Sequence, residues 1–331
     1  MAPTLNIAFF VVCFCFAVLS PNKSFGHEPG EYVVTECDVL MSAPFDPRRR
    51  SAAVLDGNLD KVQGQIKCQE AMVLFPQHPR FRVLLARAIM STAGWFPKKS
   101  EEVYSLLSLA QEQNYTAANF LLGNYFYREG GFMLPHKEVP QQKRSYFNRM
   151  IESYQRYIDS VEEHSYALVQ LARVYEAMGR QKKVLLHLDK AISMGNINAL
   201  TQKGRYLFEA VSRKEGRKNL VLASQLGDGR ADYWLSEFYL RGDVLNLTVE
   251  DLVLSKMHFA RAKKQKAVAP HILGFVEKKL NRILKEFPRI NAKFDFIYEA
   301  ATAARSEDLV FSLEEAVSLA SRQFDSAKKE Y

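Results

Sequence analysis

Two stretches, ANFLLGNYFYREG at residues 118–130 and ADYWLSEFYLRGD at 231–243, carry the same frame, and that frame decides the fold. A small residue opens each one. Leu122 and Leu235 follow four residues later, Gly123 and Ser236 come next, and Phe126 and Tyr239 sit at offset eight. Offsets 0, +4 and +8 fall on one side of a helix at about 3.6 residues per turn. A small residue beside the Leu lets a second helix approach closely. Each stretch therefore reads as the first helix of a helix–turn–helix unit.

Moving outward, the frame recurs six times. Its opening residue is Arg82, Ala118, Ala167, Ala199, Ala231 and Ala269, and its anchor is Leu85 (one residue early), Leu122, Leu171, Lys203, Leu235 and Leu273. The small residue after the anchor is Ala86, Gly123, Ala172, Gly204, Ser236 and Gly274; the late residue is Ile89, Phe126, Tyr175, Leu207, Tyr239 and Glu277. Successive small residues are 37, 49, 32, 32 and 38 apart. Spacings of 32–38 suit stacked helical pairs. The longer step contains Gly130-Gly131, Pro135 and Pro140, and reads as a loop inserted near residues 129–141. Ala110, Ala191 and Ala223 each stand four residues before Asn114, Gly195 and Gly227, residue types that accept the left-handed turn closing a second helix. The competing reading is a non-repeating helical protein with a common Ala/Leu pattern.

Composition agrees with a folded helical chain. Of 331 residues, 47% are apolar and 25% charged, with 16 Gly and 12 Pro. That usage excludes wholesale disorder, and four Cys are too few for a disulfide-stapled scaffold. Residues 7–19 (IAFFVVCFCFAVL) form an uncharged apolar run too short to span a bilayer, and they fit a secretory signal peptide cut after Gly26. The alternative is a retained anchor. A lipoprotein at Cys13 or Cys15 fits poorly, because Val11 and Val12 stand where small residues are needed. Removing residues 1–26 leaves Cys37 and Cys68, which in an exported chain are expected to pair across about 30 residues. The alternative is two buried free thiols.

These residues resemble the Sel-one-like repeat, a relative of the tetratricopeptide repeat. The front of the chain adds to the resemblance. Cys37-Asp38-Val39-Leu40, Pro44-Phe45-Asp46-Pro47-Arg48, Cys68-Gln69-Glu70-Ala71 and Phe75-Pro76-Gln77-His78-Pro79-Arg80-Phe81 are similar to the lead-in of exported bacterial members. Lys203, Glu277 and Arg82 depart from the pattern. The resemblance implies an all-α, right-handed helical-repeat solenoid of stacked antiparallel pairs, and a periplasmic or secreted chain. The expected organisation is a signal at 1–26, a lead-in cap with the disulfide at 27–79, about six units at 80–290, and a capping region at 291–331. Within these, a helix is expected over Asp60–Phe75, and Ser312-Leu313-Glu314-Glu315 opens a final helix toward Lys329.

No catalytic constellation appears. The seven His, at 27, 78, 136, 164, 187, 258 and 271, form no ligand motif, and no phosphate-binding loop or nucleophile elbow is present. The sequence implies no enzyme, cofactor or metal; an enzyme would need a site assembled from distant residues. Function is therefore sought on the surface. If tetratricopeptide geometry holds, the residue after each small position faces the concave side. Across the units these are Arg87, Asn124, Arg173, Arg205, Glu237 and Phe275, with Phe120 and Tyr233 as aromatic anchors. Forked guanidinium donors suit an acidic segment of a partner protein. The plain alternative is that these Arg pair with acids such as Glu176 or Glu209. Residues 255–293 hold eleven basic and two acidic residues, a stretch suited to an anionic lipid or cell-wall polymer unless it is a solvated helix face. Nucleic acid is not an expected partner. In a eukaryotic secretory route, Asn114-Tyr115-Thr116 and Asn246-Leu247-Thr248 would be glycosylation acceptors.

Overall fold

The computed structural model describes residues 33–92, 99–130, 144–162, 164–241, 247–266, 268, 270–286, 291–306 and 313–327. The expected signal segment, most of the expected inserted loop, Ala269 and Ser312 lie outside them. Among the described residues there are fifteen α-helices and no strand. The lead-in gives α1 (Glu36–Met41) and α2 (Lys61–Leu74). Five helical pairs follow: α3 (Pro79–Ser91) with α4 (Ser100–Glu112), α5 (Thr116–Glu129) with α6 (Arg144–Ser160), α7 (Ser165–Ala177) with α8 (Gln181–Ser193), α9 (Ile197–Ala210) with α10 (Arg213–Gln225), and α11 (Gly229–Tyr239) with α12 (Val249–Lys264). The chain ends in α13 (Pro270–Glu286), α14 (Asn291–Ser306) and α15 (Leu313–Ala327).

Each helix packs on its successor up to α13, and the first helices of consecutive units also touch: α3 on α5, α5 on α7, α7 on α9, α9 on α11 and α11 on α13. This is the stacking of an all-α helical-repeat solenoid, in which each unit covers its neighbour's apolar face. The frame residues do the covering. Ala118, Ala167, Ala199 and Ala231 have no exposed surface, and Leu122, Leu171 and Leu235 are buried beside them. Asn114, Gly195 and Gly227 all have positive φ, as their places after second helices require.

The small residue of the frame sets the distance within a pair. A Cβ on Gly204 would stand 2.7 Å from Leu220 Cγ, 2.9 Å from Leu220 N and 3.0 Å from Gly216 O. On Gly123 it would collide with the Tyr154 ring. The departures are absorbed by polar contacts. Lys203 Nζ reaches Asp189 at 2.6 Å on α8, and Arg82 donates to Gln113 Oε1 at 2.7 Å and to Pro76 O at 2.5 Å.

The sixth copy of the frame behaves differently. Gly274 faces open space and Glu277 is exposed, because α14 lies against α12 and α15 instead of completing a pair with α13. Phe294, Ile297 and Ala301 of α14 are buried there with Ala316, Val317 and Ala320 of α15. A polar cluster joins this end to the array. Asp232 on α11, fully buried, accepts from Ser224 at 2.7 Å and binds His258 Nδ1 on α12 at 2.7 Å. Arg261 Nε lies 3.5 Å from the other oxygen of Asp232. His258 Nε2 lies 3.8 Å from Glu314 on α15, an ion-pair rather than a hydrogen-bond distance, and Tyr239 donates to the same carboxylate at 3.2 Å. Burial alone would lower the His258 pKa, but the Asp232 and Glu314 carboxylates outweigh it and hold it above the ordinary value.

At the front, Cys37 and Cys68 form a disulfide, pinning α1 to α2. The helix expected over Asp60–Phe75 runs from Lys61 to Leu74, with Asp60 as its N-cap. The interior divides into two clusters of buried apolar side chains that meet at α9. Tyr206 belongs to the front cluster and Leu200 and Phe208 to the rear one, while Ile192 packs against both.

Two outcomes follow from this packing. Gly204→Ala destabilises the chain by about 2 kcal/mol in urea unfolding, because backbone as well as side chain must give way. The raised His258 pKa adds stability that is complete below about pH 6.5 and lost as pH climbs through the folded-state value. The thermal midpoint of the wild type therefore falls across that interval, and His258→Gln flattens the slope.

Candidate functional site

The first helices of the units share one face, and offset +6 of the frame places Asn124, Arg173, Arg205 and Glu237 along it. All four are partly exposed. The chain has tied them into a ladder. Arg173, on α7, donates to the Tyr127 hydroxyl of α5 at 3.4 Å and to Gln170 at 3.1 Å, and its guanidinium lies 4.8 Å from the centre of the Tyr127 ring. Arg205, on α9, binds Glu176 of α7 at 2.5 Å and Glu209 of its own helix at 2.7 Å. Arg241, just past α11, reaches back to Glu209 at 2.9 Å and to Glu237 at 2.8 Å. The plain alternative for Arg205 is thus realised with both acids.

Electrostatics follow the geometry. Burial lowers the pKa of Arg205, yet Glu176 and Glu209 reverse the effect and raise it. Arg241 behaves alike through Glu237 and Glu209. Tyr233 is half-exposed, and burial together with Glu237 pushes its hydroxyl up to about 12. Its ring meets Trp234 edge-on at 5.2 Å, and Arg205 lies 5.8 Å from the Trp234 ring. The face therefore offers charge of both signs, with aromatic surface near α11.

Two predicted groove residues are corrected. Arg87 is only 3% exposed. It donates to the carbonyls of Met41, Ser42 and Val54 and pairs with Asp56 at 2.6 Å, because the lead-in folds back over α3. Phe120 is buried too, stacked 4.1 Å from Phe45 of the lead-in and flanked by Tyr154 and Tyr157. Neither is available to a partner. Asn124 is half-buried and accepts from the Tyr154 hydroxyl at 2.7 Å. Phe275 stands outside the ladder, 71% exposed on α13.

Sequence reading missed Arg241 and Trp234. A signal for Arg241 existed: Arg205/Glu209 and Glu237/Arg241 occupy the same two frame positions with opposite sign, which lets charges cross between units. Among the described residues no group of three His, Cys, Asp or Glu is placed to hold a metal ion, and no helix is long and apolar enough to cross a membrane.

Fold and face together define a helical-repeat solenoid. No protein-family model matches the chain, and no curated protein matches it.

The two kinds of arginine separate experimentally. Arg87→Met strands three carbonyls and costs about 3 kcal/mol in urea unfolding, whereas Arg205→Met, whose partners Glu176 and Glu209 both keep access to water, costs about 1 kcal/mol.

Proposed function

We propose that this chain is an exported, non-enzymatic interaction scaffold or adaptor of the bacterial envelope, of Sel-one-like type, holding a segment of a partner protein along the face shared by α5, α7, α9 and α11. The observation that carries the reading is the continuity of that face: each first helix touches the next, and partly exposed Arg173, Arg205, Tyr233 and Trp234 recur along it. An acidic segment engages Arg173, whose contacts shown here are with neutral groups, and competes with Glu176 and Glu209 for Arg205. Aromatic side chains near α11 supply the anchors that such interfaces favour. The Cys37–Cys68 bridge supports an oxidising compartment, and with it a cleaved signal at residues 1–26.

A second reading, an envelope binder of anionic polymer, has its own observation. His271, Phe275, Lys278, Arg282 and Lys285 occupy a roughly 80° arc of α13, opposite its buried Leu273, Val276, Leu280 and Ile283. Three other basic residues of the stretch are engaged within the fold. Lys256 covers the Tyr298 ring at 4.0 Å, Arg261 faces Asp232, and Lys293 binds Asp325 at 3.1 Å.

Affinity capture of the mature chain from its native envelope tests the first reading. One defined protein is expected to co-purify, and Arg173→Glu with Arg205→Glu to reduce its recovery at least tenfold. Undiminished recovery with the double variant removes the groove from the account. Retention on purified cell wall that is released by salt belongs to the second reading.

A further inference from the structure

The loop between α1 and α2 is held far more firmly than a connection requires. Phe45 stacks on Phe120, and its carbonyl accepts from the Tyr157 hydroxyl at 2.5 Å. The Asp46 carboxylate, 1% exposed, accepts from the Tyr115 hydroxyl and the Arg48 amide at 2.7 and 2.9 Å. Burial raises its pKa, against the pull of those bonds and of nearby Arg80 and Arg48. Ser51 donates to Asp38 O at 2.7 Å, and Arg87 clamps the carbonyls of Met41 and Ser42. On this fixed backbone the loop carries Arg48, Arg49 and Arg50, the first two exposed and the third half-buried, with Arg49 Nη1 donating back to Asp46 O at 3.4 Å.

The three arginines line one wall of an open cavity of about 940 Å³. Thr116, the first residue of α5, lies in the same lining, and the N-cap of that helix, Tyr115, gives it no side-chain cap. The positive end of the helix dipole therefore adds to the guanidinium charge. Arg48 is oriented over the Tyr115 ring at 5.7 Å. Glu162 is the carboxylate in the lining, exposed beside Ser160 at the end of α6.

We propose that this cavity binds a phosphorylated sugar or polyol. Arg48 and Arg49 supply forked donors to the phosphoryl oxygens, Arg50 adds positive charge beside them, and Glu162 accepts hydrogen bonds from the hydroxyl groups. The cavity is far larger than a free phosphate ion, which is why the phosphoryl group is assigned a polyol body. The rigid loop matters because its backbone need not be ordered on binding, a cost that would otherwise be added to that of the arginine side chains. Such a ligand comes either as a soluble sugar phosphate or as a glycerophosphate lipid headgroup.

Calorimetric titration of the disulfide-bonded mature chain with glucose 6-phosphate, glucose and inorganic phosphate tests the assignment, beside flotation with phosphatidylglycerol vesicles. Saturable binding of glucose 6-phosphate is expected, with none of glucose. Arg48→Gln with Arg49→Gln, both exposed, weakens it at least tenfold at an unchanged thermal midpoint. Glu162→Gln weakens glucose 6-phosphate but not inorganic phosphate. Flotation with the vesicles, lost in the Arg double variant and unaccompanied by glucose 6-phosphate binding, assigns the headgroup as the source. A wild type that binds neither sugar phosphate nor vesicles overturns the proposal, as does binding that the double variant retains in full.

Discussion

Two helices can lie backbone to backbone only where a side chain is missing, and this molecule depends on that constraint. Gly204 and Gly216 let α9 and α10 meet with Leu220 seated between them, and Gly123 leaves room for the Tyr154 ring. Close pairs are narrow rods. Narrow rods stack with their first helices in register, and the register lines up offset +6 from unit to unit. Had the small positions been larger, the pairs would splay, and the ladder from Tyr127 to Arg241 would lose its spacing.

The two ends of the stack solve the same problem by different chemistry. A terminal unit exposes an apolar face that no neighbour covers. At the front, the lead-in covers α3 and is fixed by a covalent bridge, by the Arg80–Asp38 ion pair at 3.0 Å and by Arg87 on three carbonyls. A buried arginine so bonded is tolerated because both of its Nη groups are matched. At the rear, α14 and α15 form their own pair and lie on α12 through an apolar cover, the cluster around His258, and contacts of Glu250 with Lys293 and Ser321. The front is thus closed by a covalent bridge and buried arginine contacts, and the rear by a cluster whose histidine is held above its ordinary pKa.

What was legible in the sequence was what the chain encodes locally. Asn114, Gly195 and Gly227 announce a left-handed turn through their own backbone preferences, and Ala118, Ala167, Ala199 and Ala231 announce a buried face through spacing alone. The Cys37–Cys68 pairing was legible because, with residues 1–26 read as a signal, only two thiols remain to pair. Arg87 and Phe120 were misread for the opposite reason. Helical periodicity tells which residues share a face; it does not tell which distant segment lies on it. The lead-in crosses more than thirty residues of sequence to reach Arg87, and nothing local to Arg87 records that. The turning of α14 onto α12 is hidden in the same way. The Arg205 ladder lies between these extremes: its within-helix pairs follow from four-residue spacing, and its crossings between units do not.

The meeting of the two buried clusters at α9 has a mechanical meaning. Tyr206 is rooted in one and Phe208 in the other, so a single helix is the seam between two independently cemented blocks. Tension applied along the stack concentrates at that seam. The forward block is riveted at its tip by sulfur, and the rearward block has no such rivet among the described residues. A pull along the stack is therefore expected to peel the rear away first, leaving a shorter, still folded stub.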